Sequence, residues 1–113
     1  MGTPESAPFA LSVRATHGAV VVELAGDFDL SGVDRFRSCI EELITSSKET
    51  VVVDLRDVSF IDSSAISALL RARRILADHD RELRFNDISA AASRVFELTG
   101  LTGLFHEGGE DGT

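Results

Sequence analysis

Cysteine is nearly missing from the chain. Cys39 stands alone among 113 residues, so there is no internal disulfide and no cysteine-based metal cluster. With no His/Asn constellation beside it, Cys39 reads as a small buried hydrophobe rather than a nucleophile. No apolar run approaches the roughly 18 residues that a membrane-spanning helix needs. The opening Met1-Gly2-Thr3-Pro4-Glu5-Ser6 lacks the basic and apolar regions of a secretory signal, and a reducing, cytoplasmic setting is expected. Basic residues are few, 11 against 19 acidic ones, leaving a net charge of −8. Such a field repels phosphate backbones, which argues against DNA or RNA as a partner. A Gly-rich phosphate loop and a metal-ligand spacing are also missing, and His17, His79 and His106 are scattered. A nucleophilic serine would have no base at hand, so no catalysis, no metal and no cofactor are expected.

The remainder is ordinary globular sequence, 43% hydrophobic and 27% charged, at a length that suits one domain with its own core. Residues 1–8 are small and polar, and the tail 107–113 is acidic and Gly-rich. Both are expected to be flexible, leaving a domain over 9–106. Phe9, Leu11 and Val13 alternate with smaller or polar residues and predict a strand with one buried face. The turn Thr16-His17-Gly18 leads into a second strand, Ala19–Leu24, which predicts an antiparallel hairpin. Val33, Phe36, Ile40, Leu43 and Ile44 then form one helical stripe, with Ser31 expected as its N-cap.

Val51-Val52-Val53-Asp54-Leu55 reads as a central strand covered on both faces. A second helix is expected over 63–78, and Leu83 and Phe85 mark a further strand. A third helix starts at the cap Ser89 and ends at Gly100, with Leu101 packing back on Phe96 in a Schellman motif. Leu104-Phe105-His106 would add a last short strand. The order ββαβαβα predicts an α/β fold: a mixed sheet of four to five strands packed with about three helices.

The segment Val58-Ser59-Phe60-Ile61-Asp62-Ser63-Ser64-Ala65 joins a buried strand to a helix, at the sheet edge where open α/β folds place function. Two readings of it stand side by side. Asp62 or Ser63 can simply cap the helix, as in any strand-to-helix connection. Alternatively, a serine hydroxyl near solvent at a positive helix end is a good place for a phosphate, which gains from the dipole and the free N–H groups there. Arg71, Arg73 and Arg74 form a basic cluster on the second helix, read as a solvated face or a surface for an acidic partner.

Val53-Asp54-Leu55, the Val58–Ser64 run, Gly26-Asp27-Phe28-Asp29 and Phe96-Glu97-Leu98-Thr99-Gly100-Leu101 together resemble the STAS domain family, and within it the bacterial anti-sigma factor antagonists. The resemblance covers about residues 9–105. It implies a single STAS-like domain that regulates transcription by partner switching. Ser63 would be phosphorylated by an ATPase-type partner that is both anti-sigma factor and serine kinase, with Ser64 a minor acceptor. The unphosphorylated form would bind that partner and release the sigma factor, and a serine phosphatase would reset the phosphorylated form. Asp29, Asp62, Ser63, Ser64, Ala65 and Ile66 would form the partner-binding surface. The family's usual Gly-Leu-Gly after the two serines is Ala65-Ile66-Ser67 here, which narrows the approach to that helix. STAS-like domains also serve as docking subunits of transporters or larger signalling assemblies, a second expectation.

Overall fold

A computed structural model describes residues 7–100. Its elements are β1 (Ala10–Thr16), β2 (Ala19–Phe28), α1 (Leu30–Ser46), β3 (Thr50–Ile61), α2 (Ser63–Asp78), β4 (Leu83–Ile88) and α3 (Ala90–Thr99). The ββαβαβα order and the mixed sheet are those expected from the sequence. Four strands lie in spatial order β1-β2-β3-β4; β1 runs antiparallel to β2, and β2, β3 and β4 run parallel. The helical crossovers make parallel pairing possible, while the two-residue connection after Thr16 permits only a hairpin. The expected last strand at 104–106 and the Leu101 contact lie outside the described residues.

The core follows from register. Val20 and Val22 stand opposite Val51 and Val53, so all four share one sheet face. With Leu24 and Leu55 they meet Phe36, Ile40 and Leu43 of α1 and Leu69 and Leu76 of α2 in a single cluster. Each such side chain, fully buried, contributes about 1.5–3 kcal/mol before conformational entropy is counted. Phe28, the last residue of β2, stacks on Phe9 at 4.8 Å and meets Phe36 edge-on at 5.5 Å. Arg35 reinforces this corner, lying over the Phe9 ring and donating to the Phe9 carbonyl at 3.2 Å. Cys39 is buried, as expected; burial, with Glu42 nearby, pushes its thiol pKa up and keeps it protonated.

Three expectations need correction. The strand β1 does not bury one face: Phe9 and Leu11 reach the core, but Val13 is 47% exposed. It is an edge strand, and alternation shows which side chains share a face without showing whether anything covers that face. The third strand does not end at Leu55 but runs on to Ile61. Its pairing with β2 slips twice, between Glu23 and Ala25 and between Gly26 and Asp27. The slips make Leu55, Val58 and Ile61 recur on the core side at a spacing of three, a pattern no regular strand shows. Finally β3, though central, is covered unevenly: Val51, Val53 and Leu55 on one face are fully buried, whereas on the other Val52 is half-buried and the polar Asp54 is buried.

The helix ends are defined by side chains. Ser89 caps α3, accepting from the Ala92 N–H at 3.1 Å, and Gly100 closes it in the left-handed region at φ 77°. The Arg81 guanidinium donates to the Leu43 carbonyl at 2.7 Å and to the Glu49 carbonyl at 2.6 Å. It thereby ties the end of α1 to the entry of β3.

Candidate functional site

The carboxyl ends of β2 and β3 open onto the first turns of α1 and α2. Phe28 and Ile61 are registered partners in the parallel pair, so Asp29 and Asp62, the next residue on each strand, stand side by side. Neighbouring strands lie about 4.8 Å apart. The Asp62 N–H donates to the Phe28 carbonyl at 3.3 Å and locks the two connections together. Two helix N-termini, each with partial positive charge, thus share one rim of the sheet.

Each aspartate is an N-cap. Asp62, with extended backbone, accepts from the Ala65 N–H at 2.9 Å. Asp29 accepts from the Ser31 N–H at 3.0 Å and from the Ser31 hydroxyl at 2.6 Å. This corrects the expected cap of α1: Ser31 lies inside the helix and donates to the capping carboxylate. A carboxylate with extended backbone takes the cap position, because its oxygens accept from the first-turn N–H groups while the hydroxyl serves as a donor.

For α2 the consequence is direct. With Asp62 as the cap, the Ser63 hydroxyl is left without a hydrogen-bond partner among the described residues, on an exposed side chain in the first turn. Ser64 is half-buried beside it. The Ser63 and Ser64 backbone N–H groups have no carbonyl within the helix to donate to, as at any helix start. A tetrahedral anion on Ser63 would meet those donors and the helix dipole. Replacing Asp62 by Ala is expected to cost about 1 kcal/mol of folding free energy, the usual value of a cap. Asp62→Asn, which keeps an accepting oxygen, should cost at most about half as much. Urea unfolding of the two variants checks the difference.

Not all of the expected surface reaches solvent. Asp29, Asp62, Ser63 and Ser64 share the rim, but Ala65 is fully buried and Ile66 is 6% exposed, both in the core cluster. Successive helical residues are about 100° apart round the axis, so a run adjacent in sequence cannot all face one way. Ala65 and Ile66 position the helix and offer no side chain to a partner. Two apolar residues not expected at the site are exposed: Leu30, 70%, and Phe60, 49%. Leu30 directly follows the Asp29 cap, and Phe60 pairs with Asp27 in the bulged end of β3. An apolar residue between a capping aspartate and Ser31 was the only sequence signal for Leu30. Beside Phe60, the Ser59 hydroxyl donates to Asp27 at 2.9 Å. Among the described residues there is no cluster of His, Cys, Asp and Glu that could hold a metal ion, and no helix is long and apolar enough to cross a membrane.

Several known proteins share this architecture or resemble the sequence. The chain is 29% identical over 85 residues to an anti-sigma-B factor antagonist of Staphylococcus aureus, covering 75% of this chain and 79% of that one. Its fold matches that of an anti-sigma factor antagonist from Mycobacterium paratuberculosis with a TM-score of 0.75, at 24% identity and over 89% of this chain and 87% of the other. It also matches the Bacillus cell-fate determinant SpoIIAA in its phosphorylated form, with a TM-score of 0.65 at 26% identity and covering 86% and 87% of the two chains. The family model described as "Mlab, STAS domain" matches residues 11–106, almost the whole of the chain, and the protein belongs to that STAS-domain family.

Proposed function

We propose that the protein is a cytoplasmic anti-sigma factor antagonist switched by phosphorylation of Ser63. Unmodified, it binds an ATPase-type anti-sigma factor that is also a serine kinase, and the sigma factor is released. In the transfer step the Ser63 hydroxyl oxygen attacks the γ-phosphorus of ATP held by the kinase. The bond to the β-γ bridging oxygen breaks, ADP leaves, and the hydroxyl proton passes to a base of the kinase. The phosphorylated form no longer binds, and a serine phosphatase restores it by hydrolysis. Ser64, half-buried, serves as a minor acceptor at most, and Asp29 and Asp62 frame the acceptor.

The observation that carries this reading is the division of labour at the start of α2. Asp62 does the capping, and the Ser63 hydroxyl is left exposed with no hydrogen-bond partner among the described residues. A phosphate there needs no unfolding, because the helix end already offers donors and a favourable dipole. The relatives' names support the partner class, and the phosphorylated form of a 26% identical relative has the same fold.

The test is affinity capture from the protein's own host with wild type, Ser63→Ala and Ser63→Asp, followed by identification of what is retained. A small ATPase-type kinase held by the Ala form and lost from the Asp form is the expected result. Transporter subunits recovered equally with all three would overturn the switch and leave a docking module.

A further inference from the structure

The sheet has two edge strands, and they are guarded unequally. β4 carries Asp87 in the left-handed region at φ 45°, and its pairing with β3 slips between Asp54 and Leu55. Such irregularity is a usual defence of an edge against a further strand. β1 pairs with β2 over Ala10–Thr16 without a slip and holds no proline or lysine. Its one charge, Arg14, is tied to Glu23 on the face away from α1 and α2. Among the described residues no segment pairs with the outer edge of β1, so alternate N–H and C=O groups along its seven residues point outward unbonded. Beside that edge Val13, register partner of the buried Val22, is 47% exposed on the helix side. It faces a groove lined by Leu11 of β1 and Ser38 and Glu42 of α1.

We infer that β1 pairs antiparallel with β1 of a second copy of this chain, across a two-fold axis at Val13, to give one continuous sheet. Charge selects both the occupant and the register. The Glu23 carboxylate leans over β1, accepting from the Ser12 hydroxyl at 3.3 Å and from Arg14 at 3.2 Å. A carboxylate has about four acceptor sites, so it has room for another donor. With Val13 opposite the partner's Val13, Ser12 stands opposite the partner's Arg14, about 5 Å away between Cβ atoms. That arginine then meets the Glu23 carboxylate, and the two-fold makes the same contact a second time. A pairing centred on Arg14 would set the two arginines against each other, and one centred on Ser12 would carry Arg14 past Glu23. On the helix side the two exposed valines cover each other, and Leu11 meets the partner's Ala15. The axis stands perpendicular to the sheet, so the two acceptor rims lie at opposite ends and stay open. The inference is therefore independent of the phosphoswitch. An edge contact of seven residues is small, which makes the dimer a weak one that forms as concentration rises.

Sedimentation equilibrium of the purified chain over a concentration series tests the pairing, with wild type, Val13→Lys, Arg14→Glu, the swap Arg14→Glu/Glu23→Arg, and Ser63→Asp. Circular dichroism melts check that each variant is folded; none of these positions is in the buried core. Wild type is expected to pass from monomer to dimer. Val13→Lys turns a charge inward at the edge and should weaken the dimer about tenfold or more. Arg14→Glu sets carboxylate against carboxylate and should weaken it as much, and the swap should recover most of that loss. Ser63→Asp should leave the dimer unchanged. Treated with a thiol oxidant, Val13→Cys should cross-link, because opposite Cα atoms about 4.5–5.5 Å apart suit a disulfide. Thr16→Cys, opposite the partner's Ala10, should not. A wild type that stays monomeric, a dimer indifferent to Val13→Lys and Arg14→Glu, or one lost with Ser63→Asp would overturn the pairing, whatever becomes of the switch.

Discussion

Phosphorylated on Ser63, the protein is expected to bind its anti-sigma partner about a thousandfold more weakly than the unmodified form, measured by titration calorimetry near physiological salt. The magnitude follows from charge and distance. A phosphate of about −2, some 6 Å from one partner carboxylate at an effective dielectric near 20, gives roughly 5 kcal/mol of repulsion. Each 1.4 kcal/mol is about a factor of ten in affinity, and turning a complex from mostly bound to mostly free takes about 5.5 kcal/mol. Screening at an exposed site reduces the full figure, which leaves about three decades. Ser63→Asp carries one charge on a shorter arm and should lose about one to two decades. Ser63→Ala should bind as tightly as wild type, because the hydroxyl makes no hydrogen bond among the described residues.

The second large effect is on the scaffold. Gly26→Ala is expected to destabilise the domain by about 3 kcal/mol or more, read from urea unfolding. Gly26 has φ +80°, and a Cβ there would sit 2.0 Å from the Pro8 carbonyl oxygen and 2.8 Å from its carbon. A positive φ alone costs an alanine about 1–2 kcal/mol, and relieving an overlap with backbone adds about 1–3 kcal/mol more. Gly18 supplies the control: its φ is +77°, but nothing lies within 4 Å of an added Cβ. Gly18→Ala should therefore cost only the conformational part, and the difference between the two variants isolates the contact with Pro8. Gly26 also precedes the Asp27-Phe28-Asp29 run that sets the rim, and its slip in pairing with β3 aims Phe28 into the core and Asp29 at α1. Partner binding by whatever Gly26→Ala protein remains folded should fall as well.

The order of elements was legible because hydrophobic spacing changes cleanly between two and 3.6, at Leu24 to Val33 and again at Leu55 to Leu69. The end of β3 was not. Its two slips put Leu55, Val58 and Ile61 three apart, and a period of three suggests neither helix nor strand. The extra residue of β4, Asp87 at φ 45°, is another irregularity at the same edge. These departures gather where the site is, since bulges re-aim side chains and end pairing there. Asp62 and Ser63, the proposed acceptor, could be picked out from the aspartate-serine-serine run and its place before a helix, whereas Asp29 came only with the resemblance carried by Gly26-Asp27-Phe28-Asp29. The cap Ser89 of α3 was legible too, but the caps of α1 and α2 were not, because Asp and Ser are both good caps and only backbone geometry decides between neighbours. The burial of Ala65 and Ile66 was implicit in the helical period but concealed by their adjacency to Ser63.

Incubation of the purified complex of this protein and its anti-sigma kinase with ATP, followed by peptide mass spectrometry and size-exclusion chromatography, tests the switch most directly. A single phosphate on the peptide bearing Ser63, appearing at the rate at which the complex dissociates and absent in Ser63→Ala, is the expected result. Phosphate on another residue, or a complex that stays intact once Ser63 is fully modified, would contradict a switch at this position.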